Sequence, residues 1–190
     1  MQRTLTVLAV AAALAGPAAT QPAQPPAPVV PPPAGPTSAP EPQRTTASFG
    51  DWTLRCQRPE GGPQGCEVGQ TLFDKTQPVA QTAIGRPSRA EPLRLTILVP
   101  ANVTLSSPVR MLGSVSEAGG PMLELAWRRC IPAGCLADAP LTDGALRRIR
   151  SRTDNARLVF QDSATREAVL PFSSRGLPQA LDALAKEDQR

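Results

Sequence analysis

Histidine and tyrosine are missing from this 190-residue chain, and four phenylalanines and two tryptophans supply all its aromatic rings. The missing histidine excludes most, because it is the usual side chain for proton transfer near neutral pH and the commonest metal ligand. Neither a Ser-His-Asp nor a Cys-His mechanism can be assembled without it. A long apolar run is missing too. The longest, residues 5–14, falls far short of the roughly 20 residues that span a bilayer. Nor is there a large excess of one charge: 20 basic side chains face 16 acidic ones, a net of +4. So small an imbalance does not point to nucleic acid.

The short apolar run has a place of its own. Arg3 precedes it and the small residues 16–20 follow it, which is the three-part layout of a secretory signal. Cleavage is expected between Ala15 and Ala23. No cysteine follows the run where a bacterial lipid anchor would be attached. Removing this segment takes one of the 20 basic side chains, Arg3, and leaves 19 against 16.

Proline is abundant where other residues are scarce. Ten of the chain's 23 prolines lie in residues 21–42. Proline has no amide hydrogen and a locked φ, so this stretch can neither pair into a sheet nor wind into a helix. It reads as a solvated, partly polyproline-II spacer reaching about 70 Å at most. The chain therefore divides into a signal at 1–20, a proline-rich linker at 21–45 and a folded domain at 46–190.

From Ala47 onward apolar residues recur with period two, the mark of strands with one buried face. Trp52, Leu54 and Cys56 alternate with Asp51, Thr53 and Arg55. Leu93, Leu95, Ile97 and Val99 alternate with Arg94, Thr96 and Leu98, and Pro100 ends the run. Val109, Met111, Gly113 and Val115 form a weaker set; Leu123, Leu125 and Trp127 a clearer one. Leu158 and Phe160 lie between Arg157, Val159 and Gln161, followed by Ala168, Leu170 and Phe172. Residues 65–73 and 78–86 supply two less regular strands. Many short strands separated by Gly-, Pro- and Ser-rich turns predict an all-β, sandwich-like antiparallel domain rather than alternating βα units. Two short helices interrupt it. Thr142 is placed to cap residues 143–150, whose last turn is rich in arginine. At the C-terminus Leu177, Ala180, Leu181 and Leu184 form one apolar stripe, with Pro178 in the first turn and Ser174 as the expected cap.

Four cysteines, Cys56, Cys66, Cys130 and Cys135, make an even count in a chain read as exported, which implies two disulfides. Of three connectivities, Cys56–Cys66 and Cys130–Cys135 are favoured, since each encloses a short stretch of turn residues. A zinc site would need four thiolates, usually as paired C-x(2–4)-C knuckles, which this spacing lacks. A redox-active pair would normally be C-x-x-C at a helix start, whereas four residues separate Cys130 from Cys135.

These motifs together resemble the invasion-associated locus B family of exported α-proteobacterial proteins. The resemblance runs over residues 49–184. It begins at Phe49-Gly50-Asp51-Trp52 with Cys56 and continues at Cys66 with Gln70, at residues 93–100, and at Val103 and Leu105. Cys130-Ile131-Pro132-Ala133-Gly134-Cys135-Leu136-Ala137 is its most specific part, and the segment from Leu170 through Gly176-Leu177 to Ala180-Leu181 closes it. That closing segment has Gly176-Leu177 where the family usually has Gly-Phe, and residues 109–114 are less typical. The resemblance implies a small β domain in the envelope or periplasm, with host-cell invasion in some pathogens, and no catalytic residue; no cofactor or metal is expected.

Arg147, Arg148, Arg150 and Arg152, with Arg157 near them in sequence, are the densest cationic stretch. As a helix end they complement the macrodipole. As a surface they form a candidate anion-binding patch, since the guanidinium fork suits phosphate oxygens; Arg128 and Arg129 would extend it. Asp138 and Asp143 are the nearest thing to a paired-carboxylate site, in a segment read as irregular. Trp52 and Trp127 fall on inward faces and read as core. The expectation is a non-enzymatic envelope or periplasmic module that binds an envelope or surface component, with peripheral contact to anionic membrane and no transmembrane span. A structural or stress-related periplasmic protein is the first alternative, and a carboxylate-dependent hydrolase the second.

Overall fold

In the computed structural model, which describes residues 44–60, 62–114 and 120–189, the period-two runs become strands of one antiparallel sheet. The expected signal, all of the expected linker before Arg44, and Val115 lie outside the described residues. The strands are β1 (Arg44–Phe49), β2 (Trp52–Gln57), β3 (Gly65–Asp74), β4 (Gln77–Gly85), β5 (Arg94–Val99), β6 (Val109–Leu112), β7 (Leu123–Ile131), β8 (Gly134–Pro140), β9 (Ala156–Gln161) and β10 (Glu167–Phe172). The helices are α1 (Asp143–Arg150) and α2 (Leu177–Asp188). The first strand thus starts two residues before the expected domain boundary.

Spatial order is β1-β2-β3-β4-β5-β8-β7-β6-β9-β10. The bend lies in β7. Its first residues pair with β6, its later ones with β8, and the register shifts between Trp127 and Arg129. An extra residue of this kind kinks a strand and raises its twist. The two halves of the sheet thereby face each other in a sandwich-like way and share one core. Trp52 from β2 meets Phe172 from β10 edge-on, with ring centroids 5.2 Å apart, and Trp127 meets Phe160 at 6.5 Å. Both tryptophans are core residues, Trp52 fully and Trp127 partly.

Both disulfides join directly opposed residues on neighbouring strands, Cys56 with Cys66 across β2–β3 and Cys130 with Cys135 across β7–β8. No cysteine is left free. Residues directly opposite in an antiparallel pair come within about 4.5–5.5 Å at Cα, which suits such a bridge.

Three local expectations change. Residues 134–140 are a strand, not irregular, with Cys135, Ala137 and Ala139 turned into the core. Small alanines give little hydrophobic contrast, so the alternation is faint in the sequence. Val159 is as buried as its neighbours although it lies outside the core cluster, because β9 is flanked on both sides and Val159 sits in register between Arg110 and Val169. Ser174 does not cap α2. The position before the helix is Gly176, in a left-handed conformation (φ +85°) with no side-chain cap. A Cβ there would overlap the carbonyl oxygen of Phe49, so the turn after β10 packs too closely on the β1–β2 turn for any other residue. Thr142 does cap α1, its Oγ1 accepting from the Ala145 N–H at 3.2 Å. The α2 stripe Leu177, Ala180, Leu181 and Leu184 is buried in the core.

Candidate functional site

Strands β2 and β3 differ in length, and that difference opens a groove. Their pairing stops at Thr53 opposite Gly69, while β3 runs on to Asp74 with only β4 beside it. The edge of residues 70–74 is left open on the β2 side. The end of β10 lies across the gap, and a groove of about 670 Å³ runs between them, lined by residues including Thr53, Gln70, Thr71, Phe73, Pro171 and Ser173. That size falls within the usual range for small-ligand sites, roughly 300–1,000 Å³. Phe73 is 47% exposed at its rim, one of the few large apolar side chains in the described residues that face water. Gly69 lines the floor, and the Arg55 guanidinium lies over it, paired with Glu67 at 3.2 Å.

One wall is a hydrogen-bonded junction of distant segments. Ser173 Oγ donates to Asp51 Oδ2 at 2.7 Å and accepts from the Arg175 N–H at 3.1 Å. The Arg175 guanidinium grips Asp51 Oδ1, and the Asp51 N–H donates to the Arg175 carbonyl at 3.1 Å. Below them the Trp52 indole N–H donates to the Ser173 carbonyl at 2.9 Å, and the Ser173 N–H donates to Gln70 Oε1 at 3.2 Å. The Arg175 guanidinium, and then the Ser173 hydroxyl, hold the Asp51 carboxyl below its ordinary value of 3.8. Among the described residues the hydrogen-bond partners of the Ser173 hydroxyl are the Asp51 carboxylate and the Arg175 N–H, an arrangement that positions backbone.

The junction has a pH signature. A carboxylate whose pKa is lowered by folding contributes stability above its unfolded pKa, and that contribution is lost as pH falls through the folded value. Asp51→Asn is therefore expected to cost on the order of 1 kcal/mol at pH 7, a figure kept small because Arg175 is largely exposed. The gap from wild type should narrow as pH falls below 3.8 and through the lowered Asp51 value, so it is smaller in acid than at pH 7. Urea unfolding of both proteins at neutral and acid pH measures it; a gap independent of pH would mean that the Asp51 charge does not stabilise the junction.

Arg147, Arg148 and Arg150 lie exposed together in the last turn of α1, some of them engaged with neighbouring segments. The Arg150 guanidinium pairs with Asp182 of α2, and Arg152 holds Asp154 with both N–H···O distances under 3 Å. Arg148 donates to the Met122 carbonyl at 3.3 Å, Arg157 to that of Gly113 at 3.2 Å, and Arg147 lies exposed on α1. Arg129 is exposed on β7. Asp138 is gripped by both Arg94 and Arg128 on the outer face of β8. Desolvation opposes its charge, but those two arginines outweigh it and keep its pKa low. Asp143 instead occupies the first turn of α1. The two acids belong to different elements, and Asp138 is already committed to two arginines. Cys56, Cys66 and Glu187 come close together, but both thiols are spent in a disulfide, so the trio offers no metal site. Among the described residues no helix is long and apolar enough to cross a membrane.

Gln70 and Ser173 were not identified as a site from sequence: they are neutral and 103 positions apart. Gln70 entered only through the family resemblance.

Comparison with known proteins places the chain. No curated protein matches it. A crystal structure of invasion associated protein B from Bartonella henselae is similar, with a TM-score of 0.62 over 76% of this chain and 97% of that one. At 21% identity this likeness shows the fold. The family model for the invasion associated locus B (IalB) protein matches residues 52–185, from the tryptophan of the junction to the last turns of α2. The chain belongs to the invasion associated locus B family.

Proposed function

We propose that this chain is a non-catalytic, exported envelope or periplasmic module, and that it binds a partner through the groove between β3 and β10. One observation carries the reading: the groove has a mixed polar and apolar lining walled by the hydrogen-bonded Asp51–Ser173–Arg175 junction, and among the described residues that line it Asp51 is the only carboxylate. Export is supported by the two disulfides, which persist in oxidising compartments, and by the signal-like residues 1–20. An interaction surface needs shape and unsatisfied polar groups more than reactive ones, and the groove offers both.

The test is in-cell photo-crosslinking of the tagged full chain. The crosslinker replaces Phe73 at the groove rim in one version and Arg166, in the exposed β9–β10 turn, in another. A reproducible envelope or surface partner captured from position 73 and not from 166 is expected. Abundant bystanders alone, or equal capture from both positions, would overturn the binding reading in favour of a structural role.

A further inference from the structure

The groove contains two kinds of unused hydrogen-bonding capacity. The first is the open edge of β3. Residues 70–74 pair with β4 on one side only, and in an antiparallel ladder alternate residues turn their N–H and C=O groups to the other side. The second is the Gln70 amide. Gln70 is 7% exposed, so more than nine-tenths buried, and its Oε1 is taken by the Ser173 N–H. Its Nε2 has no protein partner among the described residues, and it is not among the polar atoms sealed from solvent, so it reaches the groove that Gln70 lines. That donor is open to the groove, where water or a ligand carbonyl can accept from it without competition from a protein group.

The rest of the lining narrows the class of acceptor. Across the gap β10 presents Pro171, which has no N–H, so at that position it cannot donate to an incoming strand. Pairing is left to β3. Charge at the rim is unequal. Arg175 pairs with Asp51 and Glu67 with Arg55, whereas Lys75, at the β3–β4 turn, lines the groove with no ion-pair partner among the described residues, and its exposed neighbour Asp74 lies outside the lining. The exposed Phe73 stands beside it, an apolar platform one residue beyond the buried Leu72.

Building on the binding reading above, we infer that the groove receives an extended polypeptide segment. It lies in the line of β2 beyond Asp51, hydrogen-bonds to the open edge of residues 70–74, and carries an acidic side chain toward Lys75. The Gln70 Nε2 donates to a carbonyl of this segment. Main-chain pairing gives affinity in strand addition, and the flanking side chains give selectivity. The acidic end is drawn by Lys75, a lining cation without an ion pair, and this attraction is weakened by salt and by the exposed Asp74 next to it.

The experiment uses purified, oxidised full-length chain and a phage-displayed library of random segments about nine residues long. Selected sequences are remade as acetylated, amidated peptides, and their backbone amides are N-methylated one at a time. Enriched peptides are expected to alternate apolar and polar residues and to carry Asp or Glu toward one end. Methylation at every second position should weaken binding about tenfold, the loss of one strand hydrogen bond, with intervening positions within about twofold. Lys75→Glu, an exposed turn substitution that leaves the core untouched, should weaken acid-bearing peptides about three- to tenfold at low salt and less at high salt. Hydrogen exchange at residues 70–74 should slow on binding. No enrichment, methylation sensitivity without alternation, or protection confined to another strand would each overturn the inference. The two readings fail separately: a partner crosslinked through position 73 without any strand-like peptide sinks the strand geometry alone, and alternating peptides without a cellular partner sink the module reading alone.

Discussion

Trp52→Ala is expected to destabilise the domain by about 4–5 kcal/mol, the upper end for truncating a large buried aromatic. Trp52 is fully buried at the start of β2, and its ring meets Phe172 edge-on at 5.2 Å, which joins the two halves of the bent sheet. Truncation leaves a cavity where those halves touch and strands the Ser173 carbonyl without its 2.9 Å donor. Each effect alone costs on the order of 1–3 kcal/mol or more. Trp52→Phe keeps much of the volume but loses the donor, and should cost about 1–2 kcal/mol. Trp127→Ala provides the contrast. That ring is only partly buried and its partner carbonyl, Ser107, lies in a loop, so about 2 kcal/mol is expected. Urea unfolding followed by circular dichroism ranks the three. If Trp127→Ala proved the more damaging, β2–β10 contact would not be what holds the sandwich closed.

How legible each part was depends on contrast between its faces. In β2 and β5 large aliphatic or aromatic residues alternate with charged or hydroxylated ones, and the structure buries Trp52, Leu54, Leu95, Ile97 and Val99 as read. In β8 the inward side chains are mostly alanine, and in β1 (Arg-Thr-Thr-Ala-Ser-Phe) nearly every residue is exposed, so neither strand shows a period. They form because neighbours align them: β1 pairs all along β2, and β8 lies between β5 and β7. The α1 cap was legible because it depends on residues three apart; the start of α2 was not, because Gly176 answers to Phe49, far away in sequence. The same holds for the site. Arginine density near residue 150 says nothing about Asp182 waiting 32 positions on, and no local pattern announces that Ser173 will meet Gln70. The cysteine pairing was readable because each bridge closes a local hairpin-like loop.

Removing the Cys56–Cys66 bridge is expected to cost about 3 kcal/mol and removing Cys130–Cys135 about 2 kcal/mol, each as a double alanine substitution. Loop length sets the first part of the difference: the bridges span 10 and 5 positions, which on the chain-entropy estimate gives about 2.7 and 2.1 kcal/mol. Setting adds the rest. Cys56 is buried within the core beside the strands that carry Trp52, whereas Cys130 is exposed on a hairpin whose turn occupies only residues 132–133. A tight hairpin holds its strands without a bridge far better than the 57–65 connection does. Because β2 forms one side of the groove, the first variant should also loosen the open edge, with faster hydrogen exchange at residues 65–74. The second should leave that region unchanged. Denaturation midpoints and exchange rates of both oxidised variants decide the matter. Losses matching the loop-length values alone, with exchange at residues 65–74 unchanged in both variants, would mean that the bridges act only through the unfolded chain and that neither one secures the site.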